Sequence, residues 1–304
     1  MLFVVKFKQK RIKVRNMSDR LKIGITNTSY GAYGFSESFE KISEDGYECI
    51  DYQQLADIST EFFNSEKGEF EAVLKEHRAL IESHGMRVTQ AHGPWPFPEN
   101  HGDGEGYERL VEASRRAVYG AHVLGSPRLV VHPLTPFGWG GDNPEEVYAI
   151  NEKFLRDLAD YAAPLGVCIC LENLPFAEYP LGSVEAVCDM VDRIAMPNLK
   201  VCLDTGHAVI FNKDVASQVK YIGSRLEALH IHDNMGESDE HLIPGDGIIL
   251  WDEFSDALRE IGYKNVISLE TGPKLGDFPK SRWEERRRLL FDIAKGIAER
   301  AVKA

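Results

Sequence analysis

The stretch GVCICLENLPFAEYPLGSVEAVCDMVDRIAMPNLKVCLDTGH, residues 166–207, decides the fold. It opens on a glycine and runs through a short apolar segment to Glu172. A Pro-containing turn follows, then apolar residues at helical spacing over 183–194, then a second apolar segment that ends at Asp204. Side chains alternate faces along a strand. On the first segment Val167, Ile169 and Leu171 share one face, while Cys168, Cys170 and Glu172 share the other. On the second, Val201 and Leu203 oppose Cys202 and Asp204. Each strand therefore has a bulky aliphatic face suited to packing under helices and a smaller face that ends in an acid. Two such strands joined by a helix read as a parallel pair.

The same unit repeats in both directions from this stretch. Strands are expected at 21–27, 47–52, 86–92, 128–132, 167–174, 199–204, 228–233 and 265–271. Helices are expected at 36–45, 68–84, 107–124, 144–165, 183–194, 214–224, 251–261 and 282–301. Gly46, Gly85, Gly125, Gly166 and Gly262 stand where helices should stop, as left-handed C-terminal caps do. Eight strand–helix units in about 280 residues predict an α/β chain folded as a (β/α)8 TIM barrel, a single domain over 17–304. An open doubly wound sheet is the alternative. Its first turn should be a Gly-rich phosphate loop, and here that turn reads NTSYGAYG, residues 27–34.

Composition narrows the class further. Of 304 residues, 43% are hydrophobic and 27% charged, ordinary globular usage that excludes disorder, collagen and a disulfide mini-protein. No apolar run reaches the length of a membrane span. The five cysteines include no CxxC pair and read as buried thiols in a reducing, cytoplasmic setting. Net charge is −13, yet the first sixteen residues, MLFVVKFKQKRIKVRN, hold six Lys/Arg and no acid. Residues 1–16 are read as a disordered basic extension, with Met17 the expected start; a basic binding arm is the rival. The acidic remainder lacks the overall positive field that favours nucleic acid.

Strand parity also collects chemistry. In a barrel the smaller faces point inward and their last residues meet at the C-terminal mouth, where such barrels keep their active sites. His92, His132, Glu172, Asp204, His230 and Glu270 are delivered there by six strands. His207 follows Asp204 by three residues, Asp239 and His241 lie in the loop after strand seven, and His232 has the same parity as His230. Buried carboxylates facing one another repel and are expensive to desolvate without a cation. Mixed His, Asp and Glu donors suit Zn²⁺, Mn²⁺, Co²⁺ or Fe²⁺ better than Ca²⁺, so a divalent-metal site is expected, with Mg²⁺ a further candidate.

The segments AHGPW (91–95), VVHP (130–133), LENLP (171–175), CLDTGH (202–207), LHIHDN (229–234), DEHLIPGDG (239–247) and LETG (269–272) resemble the xylose isomerase-like TIM-barrel superfamily. That group holds sugar and sugar-phosphate isomerases and epimerases, inosose dehydratase, and AP endonucleases of the endonuclease IV type. The epimerase branch implies one metal on Glu172, Asp204, His230 and Glu270. The endonuclease branch implies a larger set that adds His92, His132, His207, Asp239 and His241, so the resemblance leaves one to three ions open. His230 rather than His232 fits the family's apolar–His–apolar–x–Asp pattern, which leaves His232 for substrate.

The expected reaction is proton transfer beside a carbonyl, with Glu172 and Glu270 as the acid/base pair and the metal stabilising an enediolate. His207 binds a substrate oxygen, shuttles a proton, or orients Asp204. Trp95 and Phe97 stack on a sugar or anchor their loop. The alternatives are metal-dependent phosphodiester hydrolysis, a dehydratase-like lyase, and a non-enzymatic metal barrel. The nuclease would need basic loops, whereas the loops after strands two and three are acid-rich and the arginines at 282 and 286–288 read as a solvated helix face. PGDG at 244–247 and Gly272, Lys274 and Gly276 read as turns rather than a phosphate seat. The expected partner is a small-molecule sugar; the oligomeric state, a homo-oligomer included, stays open.

Overall fold

Eight short strands, all parallel, surround one axis. They are β1 (Lys22–Thr26), β2 (Cys49–Tyr52), β3 (Arg87–His92), β4 (Arg128–Val131), β5 (Cys168–Glu172), β6 (Leu199–Asp204), β7 (Leu226–His230) and β8 (Val266–Leu269). In this computed structural model, which describes residues 20–95 and 104–303, neighbours run β7-β6-β5-β4-β3-β2-β1-β8. The ring closes just beyond the end of β7. Ile231 N donates to Ser268 O at 2.9 Å, and Glu270 N donates to Ile231 O at 3.0 Å. The arrangement is the expected single-domain (β/α)8 barrel. The proposed extension at 1–16, Met17 and Phe97 lie outside the described residues.

The alternation read from the strands divides the core. Ile23, Ile25, Leu129, Val131, Ile169, Leu171, Val201, Leu203, Leu229, Ile267 and Leu269 belong to one large apolar cluster shared with the helices. Each fully buried Leu or Ile there contributes roughly 1.5–3 kcal/mol. Inside the barrel lies a separate small cluster of Val130, Cys170, Cys202 and Ala228, with Cys168 against it. Small inward side chains fit the narrow lumen, and burial pushes the Cys170 and Cys202 thiols well above their ordinary pKa. All five cysteines are free thiols.

The helices are α1 (Phe35–Asp45), α2 (Glu61–Asn64), α3 (Lys67–Ser83), α4 (Gly104–Leu124), α5 (Pro144–Ala162), α6 (Val184–Ile194), α7 (Thr205–Phe211), α8 (Val215–Ile222), α9 (Trp251–Glu260) and α10 (Trp283–Arg300). The five glycines expected as stops all have positive φ. Differences from the sequence reading have local causes. The helix expected over 144–165 tightens to a 3-10 turn at Ala163–Leu165, because Pro164 has no N–H to continue the ladder. The short α7, not foreseen, is nucleated when Asp204 accepts a hydrogen bond from His207 N at 2.6 Å. Arg287 is not on a solvated face: it is 6% exposed and pairs with Asp45 at 3.1 Å. None of the helices in the described residues is long and apolar enough to cross a membrane.

Candidate functional site

The inward-facing strand ends meet at the C-terminal mouth in two adjoining groups. In the first, Glu172 is 1% exposed and closed in by three imidazoles. His132 Nε2 lies 2.9 Å from Glu172 Oε2, His92 Nε2 lies 3.6 Å from the same oxygen, and His230 Nδ1 lies 2.8 Å from Oε1. Glu270 Oε2 approaches the same His230 nitrogen at 2.9 Å, and its side chain keeps 18% exposure toward the mouth. In the second group Asp239 receives His207 Nε2 at 3.3 Å and His241 Nε2 at 3.2 Å. The triad His232–His241–Glu270 joins the two groups, and the second also holds Asp204. Its Oδ2 is 3.0 Å from His232 Nε2, which lies 3.6 Å from Asp239 Oδ1. His230 therefore stands with the two glutamates, and His232 with the two aspartates.

Four of the six imidazoles are turned by their other nitrogen. His92 Nδ1 donates to Gly93 O at 2.8 Å, His207 Nδ1 to Asn173 O at 2.8 Å, and His241 Nδ1 to Glu270 O at 2.7 Å. His230 Nε2 donates to Asp51 Oδ2 at 2.8 Å. In a neutral ring the remaining nitrogen then presents a lone pair to a carboxylate, which is repulsive. Two remedies exist, an extra proton or a cation between them. Protonation fits the metal-free state. Burial lowers the His207 pKa, but Asp204 and Asp239 overcome it and raise the value to about 10. Asp239 likewise overcomes burial at His241 and raises it to about 9. Glu172 and Glu270 hold His230 well above its ordinary value against the same opposition. His132, where burial prevails, falls to about 4. Burial opposes ionisation of Glu172, Asp204 and Asp239, yet the neighbouring histidines hold all three below the ordinary carboxylate range.

A divalent cation is the other remedy, and the donors fit one. The triads His92–His132–Glu172, His92–His230–Glu270, Asp204–His207–His232 and His232–His241–Glu270 each bring three ligand atoms within 4.8 Å of one another. His132 Nδ1, His232 Nδ1 and Asp51 Oδ1 are buried without a hydrogen-bond partner, as expected where polar groups are arranged around an ion or water. His232 occupies the space over Gly206, where a Cβ would lie 1.9 Å from its Cε1.

Three supporting residues escaped the sequence reading. Asp51, on β2, is completely buried; it accepts from His230 and from Gln90 Nε2 at 2.7 Å. Gln90 in turn donates to Leu229 O at 3.2 Å. Asp233 anchors the loop that carries Asp239 and His241. Its carboxylate accepts from Gly245 N at 2.9 Å, Ile249 N at 3.2 Å and the Trp251 indole at 2.8 Å. A lone acid between Ile50 and Tyr52 was the available signal for Asp51. On the opposite side of the mouth Trp95 meets the His132 ring edge-on, centroids 4.0 Å apart. Trp139 and Phe176 extend that aromatic wall, with centroids 4.3 Å apart.

A family model described as xylose isomerase-like TIM barrel matches residues 39–293. The chain belongs to that family. Among its relatives, an uncharacterised protein of Methanocaldococcus jannaschii is 29% identical over 285 residues, covering 92% of this chain and 93% of the relative. The D-psicose 3-epimerase of Ruminiclostridium cellulolyticum is 26% identical over 273 residues, covering 86% and 85%. The inosose isomerase of Bacillus subtilis is 25% identical over 177 residues, 56% of this chain and 63% of the relative. The fold is shared with a D-tagatose 3-epimerase-like protein, with a TM-score of 0.73, 24% identity and coverage of 93% and 100%. It is shared too with the IOLI protein, solved with a zinc atom, with a TM-score of 0.70, 20% identity and coverage of 93% and 98%.

Proposed function

We propose that this family member is a divalent-metal-dependent isomerase or epimerase of a sugar or sugar phosphate. The observation that carries the reading is the pair Glu172 and Glu270, whose carboxylates approach one nitrogen of His230 at 2.8 and 2.9 Å at the open end of the barrel. Full-length relatives that include a D-psicose 3-epimerase support it. Glu172, Asp204, His230 and Glu270 would hold the ion; His92, His132, His207, Asp239 and His241 supply donors for up to two more. A bound divalent ion polarises a carbonyl and stabilises the negative charge that develops on its oxygen. The chain's own part is the proton. Glu270, the more open carboxylate, removes the proton from the carbon beside the carbonyl. Glu172, first taking a proton from the His92 imidazolium 3.6 Å away, delivers it to the adjacent carbon or the opposite face. His207, fixed through Asn173 O, and His232 bind substrate oxygens, and Trp95 offers its ring to the apolar face of the sugar.

The second group favours one other reading. A carboxylate shared by His207 and His241 can hold a further cation, which suits metal-dependent phosphodiester hydrolysis. One experiment separates the two. Ketoses incubated in heavy water should acquire deuterium beside the carbonyl, while abasic duplex DNA stays intact. Incision of the DNA with no exchange into any sugar would reverse the order, and release of water from a keto-inositol would assign a lyase.

A further inference from the structure

At the other end of the barrel the strand beginnings form a second, chemically opposite mouth. A cavity of about 480 Å³ lies there, lined by Arg20, Lys22, Arg87, Arg128 and Lys264 together with Thr89 and Asn265, and by no acidic residue. Lys22, Arg87 and Arg128 are the first residues of β1, β3 and β4. Parallel strands all begin at the same mouth, so these cations are gathered by the topology itself. Two of the five are tied down. Arg20 pairs with Glu48 at 2.6 Å, and Arg128 pairs with Glu227 at 2.8 Å while donating to Thr89 O at 3.2 Å. No ion pair reaches Lys22, Arg87 or Lys264 among the described residues.

Three uncompensated cations around one cavity repel one another in a chain whose net charge is −13. A bound anion relieves that repulsion, and the two pinned arginines present donors already held in position. The cavity falls within the range of small-molecule sites, roughly 300–1,000 Å³. We propose that this N-terminal mouth binds a small polyvalent oxyanion, of the size and charge of a di- or triphosphate group, independently of the sugar site.

The test is calorimetric titration of the full chain with pyrophosphate and, as a probe that does not chelate metals, naphthalene-1,3,6-trisulfonate. Both should bind one per chain at this mouth. The double reversal Arg87→Glu with Lys264→Glu changes two exposed side chains that make no ion pair, so the fold, followed by thermal unfolding, should persist. It should weaken both probes by about tenfold or more. Lys213→Glu, an exposed cation outside the cavity lining, should leave them unchanged. Tripolyphosphate and a nucleoside triphosphate binding equally assign the site to the phosphate chain; tighter binding of the nucleotide assigns it to nucleotides. The proposal is overturned if neither probe binds the wild type, or if the trisulfonate binds the double variant as well as the wild type.

Discussion

The two mouths of this barrel are built from the same eight strands and differ in almost every chemical respect. Where the strands end, carboxylates and imidazoles converge at contact distance around buried space. Where they begin, arginines and lysines surround an open cavity. Parity explains why one fold accommodates both. The inward face of β4 begins at Arg128, passes Val130, and leads to His132 just past the last strand residue. A strand therefore carries one charge type at each end without altering the aliphatic face that packs under the helices. The lesson is that function at either end is decided by the terminal inward residue, while stability is decided by the residues between.

The contrast is broken most directly at the carboxylates. Glu270→Gln should lower sugar turnover by ~10²–10⁴-fold while retaining part of the metal. Glu172→Gln should cost more metal, because Glu172 is the acceptor shared by His132 and His230. Turnover with measured metal content checks both; near-normal turnover with bound metal in Glu270→Gln would leave Glu270 a ligand only. Next in size, Asp51→Ala should weaken metal binding about 10–100-fold by freeing the His230 ring. Metal titration reads this, and an unchanged affinity would make Asp51 a packing residue. Gly206→Ala must displace His232, since a Cβ would lie 2.3 Å from its Nδ1. A loss of about 1–3 kcal/mol in denaturant unfolding is expected, and an unaltered midpoint would show that His232 is free to move.

The most graded effect is in pH. His207 and His241, at about 10 and 9 in the folded chain, lie above their ordinary 6.5. A raised folded pKa means that the folded state holds the proton more tightly than the unfolded one. The stabilisation is complete below pH 6.5 and is lost as pH climbs toward 9 and 10. The metal-free protein should thus melt at progressively lower temperature across that window. Metal must expel the same protons, so its affinity should rise there. Calorimetry in buffers of different ionisation enthalpy would register the released protons. A metal-free melting temperature that rises with pH over the window would contradict the imidazolium assignment.

Much of this was legible in the sequence because it is local. The barrel follows from repeated apolar segments and glycine stops, and the positions of His132, Glu172, Asp204 and Glu270 follow from period-two alternation. What was not legible depends on how strands stagger around a closed ring. Asp51 and His230 are 179 residues apart, and nothing in the segment ECIDY, residues 48–52, reveals that its acid meets an imidazole across the lumen. The partition of His230 to the glutamates and His232 to the aspartates has the same origin. The two rings share a parity and are separated only by what each finds on the neighbouring strands. Asp233 was hidden differently: it is a turn organiser whose donors are backbone N–H groups and the Trp251 indole eighteen residues on, which no strand pattern announces.

The plug of Val130, Cys170, Cys202 and Ala228 gives the molecule an insulating septum. Four residue steps of strand, about 13 Å at ~3.3 Å per residue, separate the cationic end from the anionic one. The material between them is buried and largely apolar. Across that distance a unit charge at one face is felt at the other as about 1 kcal/mol at an effective dielectric constant near 20. The two ends share a field. An anion seated at the lower face would cancel part of that field, so its arrival would be registered among the carboxylates above as a voltage, with no atom needing to move.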